Sequence, residues 1–294
     1  MRLLGVLFLA LTFAAHADAE VVMARIAAHP ALWTVRSPTA TIYLFGSIHL
    51  LPENITWHDP KLDAALDAAD TFVFETPLDE QGAAGVADFV RANGKLPAGT
   101  TLRALLPEKT RAAYAAALEE VHLTPDALDT DRPWLAAIVI DVSWLQTLHY
   151  VMADGVDRQL YAFALAHHRA VRTFETPAQQ LQLFLPKNQP QEVAEFAASL
   201  KNFRTDQNTI GAMVDAWGAG DVAKVGRLMN AQLAEVPGEK KLLIDDRNRA
   251  WIRTLDEMLA QKTVAFVTVG TGHLAGPQGV PALLRRQGYR VEGP

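Results

Sequence analysis

The segment Thr41-Ile42-Tyr43-Leu44-Phe45-Gly46-Ser47-Ile48-His49 joins an apolar run to a glycine and then to a histidine. A second segment near the end of the chain follows the same plan, Val264-Ala265-Phe266-Val267-Thr268-Val269-Gly270-Thr271-Gly272-His273. Each pattern predicts a buried β-strand that stops at a glycine turn and leads to a histidine. Two such strands side by side would direct two imidazoles to one edge of a sheet. The pair predicts a metal or acid–base site, with two structural histidines as the alternative.

The segments around the first motif predict an α/β fold. Residues 32–36 and 41–48 are apolar or alternating, with Ser37-Pro38 between them, which is typical of a β-hairpin. Asp59-Pro60 predicts a helix start, since Asp is a good N-cap and Pro suits the first helical position. Thr71 to Phe74 is a short apolar run and predicts a third strand, which completes a βαβ-like unit.

The rest of the chain predicts more helix than strand. Residues from about 79 to 168 predict a helical insertion, and further strands are expected at residues 170–174, 264–269 and 289–291. We therefore predict one α/β domain over residues 18–294, with a mixed central β-sheet, flanking helices and that helical insertion.

Two glutamates follow predicted apolar strands, each within the same four-residue motif. Phe74-Glu75-Thr76-Pro77 and Phe174-Glu175-Thr176-Pro177 match residue for residue, which raises the hypothesis of an internal pseudo-duplication. A carboxylate at the end of an apolar strand can act as a general base or a metal ligand. For Glu75 this interpretation and a helix-capping role stand level. For Glu175 the sequence favours capping, because Glu175 directly precedes the helix start Thr176-Pro177. The segment Thr176-Pro177-Ala178-Gln179 has the pattern of a capping box.

Composition limits the classes of function and the cellular compartment. The 294 residues are 50% hydrophobic and 20% charged, with a net charge of −6, so a globular core is expected and a basic nucleic-acid-binding surface is not. The chain has no cysteine, which excludes disulfides, thiol nucleophiles and cysteine-ligated zinc.

Residues 1–17 have the pattern of a cleavable signal peptide, which predicts export to the periplasm or secretion. Residues 134–152 are strongly apolar but contain Asp141, so we predict a buried helix and no membrane span after signal cleavage.

A charge run, Asp245-Asp246-Arg247-Asn248-Arg249, lies on a predicted helix before the last major strand. Such a run is usually a solvated face, and the residue pattern alone favours that interpretation. Arg247 could instead bind a carboxylate or an oxyanion.

Several of these sequence motifs occur together in one known family. They are Tyr43 to Pro52, Val73-Phe74-Glu75, Gly155-Val156-Asp157, Phe174-Glu175-Thr176 with Gln179-Gln180, Asp246-Arg247-Asn248, Val269 to Gly276, and Gly288 to Val291. In this order the chain resembles the TraB/GumN family, which is related to the Tiki metalloproteases and more distantly to erythromycin-esterase and ChaN-like proteins. Ser47 stands where many relatives have threonine.

The resemblance implies a site and a chemistry. It marks His49, His273 and Glu75 as metal ligands, with Glu75 also a catalytic candidate and Arg247 and Asn248 in support. It implies a divalent metal ion, manganese or cobalt, with zinc left open. The leading hypothesis is an exported metal-dependent hydrolase of peptide bonds, acting on a peptide or small-molecule substrate. The alternatives are a metal-independent ester or lactone hydrolase and a non-catalytic haem- or polysaccharide-associated binding protein.

Overall fold

The computed structural model describes residues 26–202, 207–234 and 236–294, without the side chains of residues 202, 207 and 208. The predicted signal peptide, residues 1–17, lies outside the described residues. Within these ranges the strands are β1 (Ile26–Ala27), β2 (Leu32–Arg36), β3 (Thr41–Ser47), β4 (Leu51–Pro52), β5 (Ile55–Thr56), β6 (Thr71–Phe74), β7 (Tyr150–Val151), β8 (Ala170–Thr173), β9 (Val264–Gly270) and β10 (Arg290–Glu292).

Helices connect most of the strands of the central sheet. They are α1 (Pro60–Ala68), α2 (Glu80–Asn93), α3 (Leu102–Leu105), α4 (Glu108–Glu120), α5 (Pro133–Thr147), α6 (Val156–Ala166), α7 (Pro177–Gln182), α8 (Gln189–Asn202), α9 (Gln207–Gly218), α10 (Val222–Leu233), α11 (Asp246–Leu259) and α12 (Val280–Arg286). A π-helical segment, Lys241–Asp245, precedes α11, and a 3₁₀ turn, Thr271–Leu274, follows β9.

The central sheet has six strands in the order β10-β2-β3-β9-β6-β8. Strand β2 runs antiparallel to both of its neighbours, β10 and β3, whereas β3, β9, β6 and β8 run parallel to one another. This confirms the predicted hairpin and the mixed sheet within an α/β fold. The strands β3 and β6 of the βαβ-like unit are not neighbours, because β9 inserts between them and pairs with both.

Apolar residues cover both faces of the sheet, as expected for central parallel strands. Along β9, Phe266 belongs to a cluster with Phe45, Phe72 and residues of α1 and α6, while Val267 belongs to a cluster with α11 and α12. A third cluster lies among helices α2 to α5 and α8. The sheet is thereby held as a rigid layer whose strand ends can position side chains.

Helix α5 is the apolar segment that the sequence singled out. It ends at Thr147, and β7 follows, so the helix is shorter than the apolar run. Most of its residues from Pro133 to Leu145 are buried in the helical cluster, which explains why it is apolar on every side. No helix in the described part of the chain is long and apolar enough to cross a membrane.

The two identical Phe-Glu-Thr-Pro words lie beside each other. Phe74 pairs with Thr173 at the ends of β6 and β8, and the backbone N–H of Glu175 donates to the carbonyl of Glu75 at 2.9 Å. Both glutamates therefore leave the sheet at the same edge, whether or not the words arose by duplication.

Candidate active site

The carboxyl ends of the four parallel strands bring the singled-out residues to one edge of the sheet. Ser47 at the end of β3 pairs with Gly270 at the end of β9, so the two glycine–histidine words are neighbours in register. Glu75 follows β6 on the other side of β9, and Glu175 follows β8. Such an edge is where open α/β sheets place their sites.

His49 is held by Asp157 from the first turn of α6. Its Nδ1–H donates to Oδ2 of Asp157 at 2.5 Å, and both side chains are largely buried. Helix α6 approaches closely because Gly155 has no side chain: a Cβ there would lie 2.1 Å from the carbonyl oxygen of His49. Burial disfavours the imidazolium, but the Asp157 carboxylate outweighs burial and raises the pKa of His49. The bond to Nδ1 fixes the tautomer, so Nε2 is the atom that His49 presents to the site.

Glu75 is a buried carboxylate with hydrogen bonds to both oxygens. Its Oε1 accepts from the backbone N–H of Gly270 at 2.6 Å, and Oε2 accepts from Nε2 of Gln180 at 2.9 Å and Nη2 of Arg247 at 2.5 Å. Burial alone would raise the pKa of Glu75, but the charge of Arg247 above all, together with the Gly270 N–H, holds it at about 2. Glu75 is therefore ionised, and so low a pKa makes it a weak general base.

Arg247 bridges the two glutamates. Its Nε and Nη2 donate to the two carboxylate oxygens of Glu175 at 2.8 and 2.9 Å, and Nη1 donates to the carbonyl of Leu243 in the π-helical segment at 3.2 Å. Its guanidinium carbon lies 4.8 Å from the ring centroid of Trp251, whose Nε1–H also donates to Glu175. Bidentate pairing and stacking fix the guanidinium in one orientation.

Two interpretations from the sequence are wrong here. Arg247 and Asn248 are buried, so this part of the charge run is not a solvated face. The apolar stripe of α11 places both residues inward, next to Trp251. Glu175 does not cap a helix: Thr176 caps α7 through a complete capping box, while the Glu175 carboxylate is bound by Arg247.

His273 is oriented by Asn248. Because Nδ2 of Asn248 donates to the carbonyls of His273 and Gln278, its Oδ1 is the acceptor for Nδ1–H of His273, at 2.7 Å. Nε2 of His273 then accepts from Nη1 of Arg247 at 3.1 Å and lies 3.8 Å from Oε1 of Glu75. Burial lowers the pKa of His273 to about 3, against the attraction of Glu75, so the imidazole is neutral.

Gly270 marks the point where the three predicted ligands converge. A Cβ at this position would lie 3.3 Å from Oε1 of Glu75, 3.6 Å from Cδ2 of His273 and 4.0 Å from Nε2 of His49. Two imidazole nitrogens and one carboxylate are a donor set that suits zinc, manganese or cobalt. The Asp157 carboxylate, which accepts from Nδ1–H of His49, is also of the kind that metal-binding histidines use.

Arg247 connects His273 and Glu75 through hydrogen bonds, and the side chains are not arranged around a metal position. Across the described ranges, no group of three or more His, Cys, Asp or Glu side chains is arranged to hold a metal ion. Arg247 contacts both His273 and Glu75, and it retains Glu175 as a bidentate partner if those contacts are given up. The donor types fit a metal, while binding one requires the guanidinium to move.

A cavity of about 80 Å³ opens beside the two histidines. Ser47, His49, Thr271 and His273 line one part of it. The remaining wall is mostly apolar and comes from α5, α9, α10 and the π-helical segment, through Leu145, Ile210, Met213, Val214, Met229 and Ile244. The site therefore has both reactive side chains and an adjacent space for a ligand.

Comparison with known proteins identifies the family. The profile of the TraB/PrgY/gumN family matches residues 31–293, nearly the whole described chain. The chain belongs to the TraB/PrgY/gumN family. Similar proteins include an uncharacterized protein of Treponema pallidum (strain Nichols), 19% identical over 87% of this chain and 80% of the relative. The uncharacterized protein YbaP of Escherichia coli (strain K12) is 24% identical over 83% of this chain and 87% of its own length. No solved structure matches the chain significantly.

All five residues singled out from the sequence of this TraB/PrgY/gumN protein meet at one site: His49, Glu75, Arg247, Asn248 and His273. Sequence reasoning assigned no role to Asp157 or Gln180, which hold His49 and Glu75. The sequence does contain a feature that could have indicated Asp157: it follows Gly155 in the first turn of a helix, where an acidic side chain can face a strand end. Nothing in the local pattern distinguished Gln180 from Gln179, which completes the capping box.

Proposed function

We propose that this protein is a metal-dependent hydrolase of acyl bonds, with peptides as its substrates. The observation that carries the proposal is the convergence of His49 Nε2, His273 and Glu75 Oε1 on the space beside Gly270. His49, His273 and Glu75 would hold a divalent ion, manganese, cobalt or zinc. When bound, such an ion lowers the pKa of a water molecule and polarises a carbonyl.

The charge of the site supports a cation. Glu75, Glu175 and Asp157 supply three carboxylates, against which the described side chains of this cluster set one guanidinium, that of Arg247. With His273 neutral, the three carboxylates outnumber Arg247 even when His49 is protonated, so the cluster keeps a negative excess that a divalent ion would offset.

The other polar residues have defined tasks in this proposal. Asp157 and Asn248 act as positioning residues, since each binds the Nδ1–H of one histidine and leaves its Nε2 to face the site. Arg247, fixed by Glu175, is the charged donor nearest to His273 and would stabilise a developing oxyanion.

Two contacts favour a second candidate, a metal-independent ester or lactone hydrolase. Arg247 already donates to Nε2 of His273, and His49 with Asp157 forms a pair that can act as a general base without a metal. In this mechanism His49 would take a proton from water, Asp157 would stabilise the imidazolium, and Glu75 would hold Arg247 in place.

We also propose that the protein is exported, on the basis of the signal-peptide pattern of residues 1–17. Cell fractionation of the full-length chain tests this, with N-terminal sequencing of the processed product. We expect the exported form to begin after Ala17, and retention of an intact Met1 in the cytoplasm would contradict export.

The function is tested by turnover on matched peptide and ester panels. We expect peptide hydrolysis that a chelator abolishes and that Mn²⁺ or Co²⁺ restores, and that is lost in His49→Ala and His273→Ala. His58→Ala is the matched control, because His58 pairs with Asp63 at 2.6 Å on the exposed surface. Ester hydrolysis that a chelator leaves unchanged would favour the second candidate, and turnover that survives both substitutions would overturn the proposal.

A further inference from the structure

The cavity beside the histidines has two chemically different parts. Its polar part is made by the ends of β3 and β9, where His49 and His273 lie. Its other part is built by Ile210, Met213 and Val214 of α9, Met229 of α10 and Ile244 of the π-helical segment. A ligand that fills it would have an apolar group at one end and a polar, reacting group at the other.

Ser47 belongs to the polar part of the cavity. It is 1% exposed, and within the described ranges its hydroxyl makes no hydrogen bond. A buried hydroxyl without a partner is unfavourable, and because Ser47 lines the cavity, a bound ligand can supply the missing partner. An amide group of a peptide can both donate to and accept from a hydroxyl.

The size of the cavity limits the apolar group. A volume of about 80 Å³ is roughly half that of the ~150 Å³ apolar cavity that accepts benzene. A branched aliphatic side chain is therefore compatible with it, whereas an indole is too large. Met213 and Met229 are unbranched and flexible, so they can adjust to several aliphatic shapes.

We infer that this cavity is the specificity pocket for an aliphatic side chain, such as that of leucine, on a residue adjoining the scissile bond. The inference rests on the proposed function for the reacting bond, but the binding of the side chain does not depend on turnover. In this arrangement the Ser47 hydroxyl hydrogen-bonds the peptide backbone of the bound residue. The apolar wall excludes aspartate and lysine, because no described charged side chain lines it.

The binding test uses methionine methyl groups as reporters. The chain has six methionines, and Met213 and Met229 line the cavity, while Met258 is buried in the cluster with α11 and α12 and is not part of the lining. In protein labelled with ¹³C at the methionine methyls, N-acetyl-leucinamide should shift the Met213 and Met229 resonances and leave Met258 unmoved. N-acetyl-aspartamide should shift none of them, and the absence of a leucine-dependent shift would overturn the inference.

Variants of the lining sharpen this test. Ser47→Ala should weaken N-acetyl-leucinamide binding about 3- to 10-fold, the loss expected for one hydrogen bond. Met213→Trp should block the pocket and abolish the shift of Met229, while the unmoved Met258 resonance reports that the fold is intact. Leu165→Ala is the matched control, because Leu165 is a large apolar residue on the exposed face of α6, and it should bind as the wild type does. Unchanged binding in Met213→Trp would contradict the assignment.

The kinetic arm separates this inference from the proposed function. In internally quenched peptides, leucine at the preferred position should raise kcat/KM about 10- to 100-fold over aspartate. Leucine-specific shifts without any turnover would support the pocket and count against the hydrolase. Turnover that is indifferent to the side chain on either side of the scissile bond would support the hydrolase and overturn the pocket.

Discussion

At the scale of single residues, the site consists of side chains that are themselves held by other side chains. Asp157 orients His49, Asn248 orients His273, and Arg247 joins Glu75 to Glu175. Such outer contacts fix tautomers and orientations, so their loss should be measurable even though they do not touch the reacting atoms.

Substitution of Asp157 tests the orientation of His49. Asp157→Ala removes the acceptor of the Nδ1–H and should lower metal affinity and kcat/KM by about 10- to 100-fold. Asp157→Asn keeps an acceptor without the charge and should lose less. Asp63→Ala is the control, because Asp63 forms the equivalent pair with the exposed His58. Equal effects of Asp157→Ala and Asp63→Ala would contradict a positioning role for Asp157.

Substitution of Arg247 tests the buried charge cluster through stability. Arg247→Met leaves the carboxylates of Glu75 and Glu175 without their cation, and breaking such a buried pair costs about 3–5 kcal/mol. Urea unfolding of the metal-free protein measures the change in the free energy of unfolding. The double variant Arg247→Met/Glu175→Gln should recover part of the loss, since one stranded charge is removed. A single variant as stable as the wild type would show that the cluster contributes nothing.

At the scale of secondary-structure elements, sequence periodicity predicted the central strands, α1 and the capping box of α7 well. Those elements are local: an apolar run or a cap residue contains the information. The π-helical segment before α11 was not predicted, because it depends on how the chain packs rather than on a local pattern. Helix α11 begins directly after this segment, and it buries Arg247 and Asn248. The prediction of a solvated face, which used the charge pattern alone, was wrong for these two residues.

The start of α2 gives a prediction that belongs to one element. Oδ1 of Asp79 accepts from the N–H of Gly82 at 3.0 Å, and Oδ2 accepts from the hydroxyl of Tyr161 on α6 at 2.8 Å. The Gly82 N–H and the Tyr161 hydroxyl lower the pKa of Asp79. Asp79→Ala should therefore cost about 1 kcal/mol of stability at neutral pH, the usual value for a lost N-cap.

The pH dependence of this effect follows from the lowered pKa. A carboxylate with a depressed folded-state pKa contributes its stability above the unfolded value, ~3.9, and loses it as the pH falls through the folded value. The stability difference between the wild type and Asp79→Ala should shrink between about pH 5 and pH 2. Denaturant unfolding at several pH values measures it, and a difference that grows with acidity would contradict the cap.

At the scale of the whole molecule, the sequence predicted the class of fold but not the order of the strands. The hairpin β2–β3 is close in sequence, whereas β9 reaches its place between β3 and β6 from near the other end of the chain. That insertion brings His273 between His49 and Glu75. The two Gly-x-x-His motifs indicated that two histidines meet at one site. The parallel pairing of Ser47 with Gly270 in the structure shows that the two motifs are neighbours.

The central claim is that His49, His273 and Glu75 form one metal centre, and metal content tests it most directly. Elemental analysis should be made on protein purified without chelators, for the wild type and for His49→Ala, His273→Ala and His58→Ala. We expect a transition metal in the wild type and in His58→Ala, and its loss from both site variants while their folded state is unchanged by circular dichroism. Wild-type protein that stays metal-free after incubation with Mn²⁺, Co²⁺ and Zn²⁺, or metal that remains in both site variants, would contradict the claim.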